Sequence, residues 1–400
     1  MSPAIAEPCG LPRDGDVLVG LSAADRYMTD CVADLGLLHP GAHGMPRLRL
    51  SIQDDIITAA EPVIGQMHRG VEKLFESRDY RQVLLMVDRH DWLSPVGSEI
   101  GAAMCMELAL GIEVSRRAQL LRMVAAELSR IAAHAMFISE FPMISVSDEI
   151  AQSQSWHDCL THWRELRNNI LDSLASLTGA RVHVMWNVIG GVLSDADEIW
   201  SAHAASLMNI EELCEQTNEI VNSDAVAQRL RGVGVIDEKT SHEFAVTGLI
   251  ARASGLDIDA RRQPGYLLYD EFPDHLPTFF KSTACAHARL SLLINETLAT
   301  ATLVGALLHA LTHTPGEINV QLPKTVRLPE GSVYRETENA LGINGFWLVS
   351  AGDKMPHRLK IRSASFATLN ALTAVLRGLK TADLIPTLAT IPYVAGDSDR

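Results

Sequence analysis

Nowhere among the 400 residues is there a C-x-x-C pair; the six cysteines, Cys9, Cys31, Cys105, Cys159, Cys214 and Cys285, are scattered singly. That excludes the local signatures of zinc ribbons, iron–sulfur clusters and thiol-redox motifs, and reduced thiols are expected. Basic residues are also short: 34 Lys and Arg stand against 49 Asp and Glu, a net charge of -15. Phosphate backbones need a basic face, so nucleic acid is excluded as a partner. The same surface disfavours adsorption to an anionic membrane. No uninterrupted apolar run reaches the roughly 18 to 20 residues that span a bilayer. The best stretch, Leu290 to Leu311, is broken by Asn295 and Glu296 and suits a buried helix. The opening Met1-Ser-Pro-Ala-Ile-Ala-Glu7 has no basic segment followed by an apolar one, so no secretory signal is expected. Aromatics make up 5%, but 47% of the chain is hydrophobic, enough for a large core.

What is present is a set of polar, histidine-bearing segments beside apolar sequence: His39-Pro-Gly-Ala-His43-Gly44, His68-Arg-Gly-Val-Glu-Lys73 and Asp88-Arg-His-Asp-Trp92. Ionisable groups carried into an interior pocket have their proton affinities shifted by burial and by partners, which is how a redox or proton-handling site begins. The alternating run Arg47-Leu-Arg-Leu-Ser-Ile52 predicts a strand entered from the His39 turn. From Glu61 to about Leu177 the period is helical. Val63, Met67, Val71 and Leu74 are expected to share one face, and Leu120, Val124, Leu128, Ile131 and Ala135 another. Glu127, Arg130 and His134 recur on this second helix as either a surface ion-pair stripe or a buried polar network.

Further on, Thr178 to Trp186 with Gly190-Gly191 breaks the helical period, and a helical region is expected from Asp195 to about Val221. Arg231-Gly-Val-Gly-Val-Ile236 predicts a short strand; it lacks the full phosphate-loop pattern, so no nucleotide site is read there. Short β-like runs at Ser332–Glu336 and Phe346–Ser350 precede Lys360–Arg362 and a last helix at about Phe366–Leu376. The expected fold class is α+β, mainly α: a long-helix bundle with small antiparallel sheets near the N-terminus and in the C-terminal region. A weakly patterned segment 1–37 leads a single domain 38–400, with a β-rich loop region 38–60, a helical core 61–313 and a β region with C-terminal helix 314–400.

Nine segments, in order, resemble one family: Leu38-His-Pro-Gly-Ala-His-Gly44, Met67-His-Arg-Gly-Val-Glu-Lys-Leu74, Val87-Asp-Arg-His-Asp-Trp92, Glu127-Leu-Ser-Arg-Ile131, Gly179-Ala-Arg-Val-His183, Arg252-Ala-Ser-Gly255, Tyr269-Asp-Glu-Phe272, Leu348-Val-Ser350 with Gly352, and Gly396-Asp-Ser-Asp-Arg400. The family is the D (49 kDa) subunit of NADH-quinone oxidoreductase, respiratory complex I, which resembles nickel–iron hydrogenase large subunits. The two cysteine pairs that hold nickel and iron in hydrogenases are missing, so no metal centre is expected.

The resemblance implies a peripheral-arm subunit on the cytoplasmic side of the cell membrane. With a B-type iron–sulfur small subunit it would form the cavity where quinone is reduced, coupled to proton translocation by the whole complex. A C-type subunit and a membrane quinone-chamber subunit are implied partners, with FMN and NADH in other subunits and no cofactor in this chain itself. It makes His43 the headgroup ligand and proton donor, since an imidazole can donate to a quinone carbonyl. His39 then reads as a structural loop histidine. Asp88 and Asp91 become proton-chain carboxylates. Arg69 either faces the partner's cluster or pairs with Glu72 or Asp88.

Departures from the family pattern cluster at this site. The tyrosine that closes the third motif is Trp92, whose indole can donate but has no phenolic proton to give. The aspartate partnering the headgroup histidine falls on or beside Ile144, with Glu140 and Asp148 nearby. The arginine before the Gly-Gly pair is Val188, and the Asp-rich motif opening the late helix is Ala284-Cys-Ala-His-Ala-Arg289. After Pro315-Gly-Glu317 the segment is shorter than in many relatives. A second reading follows: a divergent paralogue acting as an assembly partner with impaired quinone chemistry.

Overall fold

The computed structural model describes residues 16–19, 47–276 and 283–400. Three strands, β1 (Asp16–Val19), β2 (Arg47–Gln53) and β3 (Ile56–Val63), form an antiparallel sheet in that order. The period-two alternation of β2 is realised: Leu48 and Leu50 are wholly buried, while Arg49 lies opposite Glu61 and meets it at 2.8 Å. Asp54 and Asp55, at φ 50° and 63°, make the turn between β2 and β3 in the left-handed region that short acidic side chains tolerate.

Helices follow, among them α1 (Tyr80–Val87), α2 (Pro95–Leu110), α3 (Arg116–Ser139), α4 (Gln154–Thr178), α5 (Ala286–Thr312) and α6 (Ala364–Val375). Side-chain caps start α1, α3, α4 and α6: Asp79, Ser115, Ser153 and Ser363 each accept a first-turn N–H. Helix α3 packs against both α4 and α5. Its predicted face, Leu120, Val124, Leu128, Ile131 and Ala135, is fully buried in that bundle. Two-thirds (67%) of the most apolar window of α5 is also buried, so a helix long and apolar enough to cross a membrane serves as core.

A two-stranded hairpin, β4 (Asn187–Val188) and β5 (Gly191–Val192), follows α4. Near the C-terminus β6 (Gly331–Asn339), β7 (Gly342–Ser350) and β8 (Arg358–Arg362) form a second antiparallel sheet, β6 and β7 longer than the two predicted β runs but at the same places. Helix α2 lies on this sheet. A Cβ at Gly97 would fall 2.2 Å from Asn339 and one at Gly101 2.2 Å from Phe346, so only glycine permits the approach.

Two expectations are corrected and a third, the helical region 195–221, is refined. The helical period does not begin at Glu61, because β3 runs through Val63 and a left-handed Gly70 (φ 65°) first opens the short helix Val71–Phe75. Met67 and Leu74 are accordingly 48% and 41% exposed rather than one buried face. Arg231–Ile236 is a turn, not a strand, since Gly232 and Gly234 sit at φ 74° and 57°, a conformation that cannot join a ladder. The region 195–221 divides into two helices, Glu198–Ser206 and Glu211–Asn222.

Candidate functional site

The His68–Lys73 motif is pinned by the chain's last residues. Asp399 accepts the backbone N–H groups of Gly65 (2.8 Å) and Met67 (2.7 Å), and the His68 ring lies 2.8 Å from the Asp399 carbonyl. Glu72 is held by Arg358 (2.9 Å), Lys360 (3.2 Å) and the Ile361 N–H (3.0 Å). Arg69 is left exposed, with no hydrogen-bond or ion-pair partner among the described residues. The expected pairing with Glu72 or Asp88 is therefore corrected: both carboxylates are taken by other cations. Arg69 borders a cavity of about 110 Å³ shared with Arg89, His90, Asp399 and Arg400, its other wall apolar (Met67, Val71, Leu74, Met86).

Helix α1 ends just before Asp88, which is fully buried between the Arg89 guanidinium (3.2 Å) and the His183 ring (3.0 Å). Two of the family motifs thus meet at this carboxylate. Glu99 holds the following loop in place, accepting the N–H groups of Met185 (2.6 Å), Trp186 (3.2 Å) and Asn187 (3.0 Å). Burial, and then the nearby Asp88, push the Glu99 carboxyl up to about 7. Asp91 is fully buried too, accepting from Leu93 and Ser94 N–H. Trp92, 37% exposed, borders a separate small pocket with Pro95, Val96, Ala132 and Ala133, and with Arg167 and Arg181 at its edge. Arg69 and Trp92 therefore border two different cavities, and Asp88 and Asp91, both wholly buried, line neither. His43 and His39 lie outside the described residues.

Glu127, Arg130 and His134 are buried, which settles the two readings of that helix in favour of the polar network. Arg130 bonds Glu127 (2.8 Å) and the carbonyls of Glu338 and Asn339; Arg261 joins Glu127 (3.1 Å) to Asp259 (2.7 Å); Arg252 joins Glu296 (2.5 Å) to Glu338 (2.8 Å). The Tyr269 hydroxyl donates to Glu127 at 2.6 Å. Burial alone would raise the Glu127 carboxyl, but Arg130 and Arg261 outweigh it and hold it below its ordinary value. His134 is kept neutral by burial and by three arginines.

Ile144 is 61% exposed, and Glu140 is paired with Arg164 (3.3 Å). Asp148 is exposed in the first turn of the short helix Asp148–Ala151. Neither carboxylate borders the cavity beside Trp92 or the one beside Arg69. Where the family arginine would stand, Val188 instead borders an apolar groove with Leu193 and Val320. Arg122, buried with Glu107 (2.7 Å), bonds the carbonyls of Val188 and Gly191 and so fixes this hairpin from behind.

Residues 159–327 and 318–400 match the sequence family described as respiratory-chain NADH dehydrogenase, 49 Kd subunit. The chain belongs to this family. It is similar to the D 2 subunit of NADH-quinone oxidoreductase from Streptomyces griseus, 39% identical over 98% of this chain and 97% of that protein. It is 32% identical to the D subunit of the Desulfitobacterium hafniense oxidoreductase, over 93% and 97% of the two chains. The C/D subunit of the Phocaeicola vulgatus oxidoreductase is 32% identical over 92% of this chain and 69% of its own length. The two family motifs that meet at Asp88 are recognisable in the sequence, and His90 and Asp397 lie inside quoted motifs without a role assigned to them, whereas nothing there singles out Glu99. Their spacing carries no mark, because their partners lie up to 307 positions away.

Proposed function

We propose that this chain is a peripheral subunit of a membrane-bound NADH-quinone oxidoreductase, on the cytoplasmic side. With an iron–sulfur small subunit it forms the cavity where quinone is reduced, while a C-type subunit and a membrane quinone-chamber subunit complete the surroundings. Proton translocation belongs to the whole complex. The observation that carries this reading is Arg69: a guanidinium with no partner among the described residues, held at a cavity mouth by a loop that Asp399 and Glu72 clamp from both sides. A cation built into position and left unpaired suits an anionic neighbour such as a cysteine-ligated cluster.

Quinone supplies the acceptor of electrons and protons. Trp92 offers it an aromatic wall and an indole N–H, Asp88 and Asp91 are buried carboxylates beside that wall, and His43 is the headgroup ligand that donates a proton to the carbonyl. The indole cannot replace a phenol as proton donor. That, with the exposed Ile144, favours a second reading, in which the chain assembles into the complex but turns over quinone poorly.

Purification of the tagged chain from its own host in mild detergent tests both. Co-purification of an iron–sulfur small subunit with inhibitor-sensitive quinone reduction is expected; a complex without turnover would establish the second reading. In the active complex, His43→Ala should abolish quinone reduction while assembly persists. Trp92→Tyr should raise turnover or alter the apparent quinone affinity, and unchanged kinetics would remove position 92 from the headgroup site.

A further inference from the structure

Beneath the cavity that Arg69 borders lie three buried titratable side chains. His90 is 4% exposed, Asp91 and Asp397 not at all. The His90 Nδ1 lies 2.6 Å from the Val87 carbonyl, which can only accept, so that nitrogen carries a hydrogen and a neutral ring presents a bare lone pair at Nε2. Nε2 faces the Asn344 amide at 3.3 Å and Asp397 Oδ1 at 3.5 Å. Asp397 Oδ2 takes the Ser365 N–H at 2.9 Å, but Oδ1 is buried with no hydrogen-bond donor among the described residues. Two acceptors therefore face each other out of water. A neutral Nε2 can accept from the Asn344 amide, but Asp397 Oδ1 has no such donor, and a hydrogen on Oδ1 or on Nε2 would supply it.

Asp91 adds a second carboxylate to the same place. It accepts from Leu93 and Ser94 and lies 3.4 Å from the Asn339 amide, and none of its contacts is cationic. Burial and then Asp397 push it up to about 7. The charges that approach do so without contact. Burial lowers the proton affinity of His90 and the Asp397 charge opposes this, with Arg400 and Asp88 acting more weakly in opposite senses; Asp397 also acts on Arg362, whose donors go to Thr247, Ile343 and Ala245. Two like charges close together in a buried site cannot both ionise cheaply. Gly396 packs on the His90 carbonyl so closely that a Cβ would fall 2.9 Å away, which seats the C-terminal segment against the His90 backbone.

We propose that His90, Asp397 and Asp91 form a proton store that exchanges one proton with solvent when negative charge enters the cavity beside Arg69. The added proton comes from solvent and resides on His90 Nε2 or Asp397 Oδ1, and no covalent bond between heavy atoms changes. Coupling to an electron on the partner's iron–sulfur cluster rests on the quinone-reductase reading; the stored proton does not. With Trp92 unable to supply a phenolic proton, the store stands one residue away from it.

The test is infrared difference spectroscopy on the purified complex, oxidised against dithionite-reduced, in H2O and D2O. A protonated-carboxyl C=O band is expected that shifts in D2O, changes on reduction and is lost in Asp397→Asn or Asp91→Asn. Proton uptake on reduction, followed with an indicator dye, should fall by up to one proton per complex in the same variants and in His90→Gln. Absence of the band, or its survival in both Asp→Asn variants, overturns the store; a band indifferent to reduction overturns the coupling. Quinone turnover is assayed in the same preparation. A complex that cannot reduce quinone yet shows the variant-sensitive band refutes the function while leaving the store.

Discussion

Two buried polar clusters, one behind β6 and one behind the Arg69 cavity, treat charge in opposite ways. Around Glu127, every arginine is matched: Arg130, Arg252 and Arg261 contact four carboxylates, Glu127, Asp259, Glu296 and Glu338. Around His90, two carboxylates share a site with an imidazole and touch no Lys or Arg among the described residues. The first arrangement keeps its groups ionised, because each charge removed from water regains a partner at hydrogen-bond distance. The second keeps a proton, because a proton is the cheapest cation available to it. Even the matched cluster obeys this rule at its one surplus carboxylate: burial, then Asp259, raise Glu338 despite its contact with Arg252. Burial by itself thus decides nothing about the charge state, and the count of partners does.

The difference is most sharply broken by Arg130→Met. It strands Glu127 with a single arginine in a fully buried site, and loss of one partner of such a pair costs about 3–5 kcal/mol. Thermal unfolding of the complex should show it as a large drop in midpoint, partly restored by adding Glu127→Gln. An unchanged midpoint would mean that the cluster is not coupled.

At the other cluster the corresponding change should act through pH. The Asp91 carboxyl is raised from 3.8 to about 7, so between those values the folded chain binds a proton that the unfolded chain has already released. Its contribution is fully present below about pH 4 and is lost as pH rises through 7, with a slope of up to about 1.4 kcal/mol per unit. Asp91→Asn should flatten the pH dependence of stability in that window. Glu99 is raised to the same value and keeps its own slope of the same sign, so flattening is partial. A slope unaltered by Asp91→Asn would show that this carboxyl titrates normally.

How much of this is legible in the sequence follows from the range of each interaction. Strand β2, the buried face of α3 and the strands β6 and β7 are local patterns, and each stands where its alternation or period lies. The Val63–Leu74 face fails because a single left-handed glycine, Gly70, overrides a four-residue coincidence of spacing. Arg231–Ile236 fails for the same reason at Gly232 and Gly234. The site motifs are visible as a resemblance, but the contacts that give them a role are not. Asp88 meets a histidine 95 positions on, His90 meets Asp397, and Glu72 meets Arg358, and no local period encodes such pairs.

The smallest expected effect sharpens the comparison from outside. Arg49 and Glu61 form an ion pair on the first sheet, directly cross-strand at 2.8 Å, the same length as the Glu127–Arg130 contact. The Glu61 side chain is 62% exposed, however, against 0% for Glu127. Water solvates either partner of the surface pair when the other is removed, so distance carries little of the energy there. Glu61→Ala should lower stability by no more than about 0.5 kcal/mol, and added salt should shrink even that. A loss approaching that of Arg130→Met would mean that contact length rather than desolvation sets the cost of losing a partner, and the contrast between the two buried clusters would lose its physical basis.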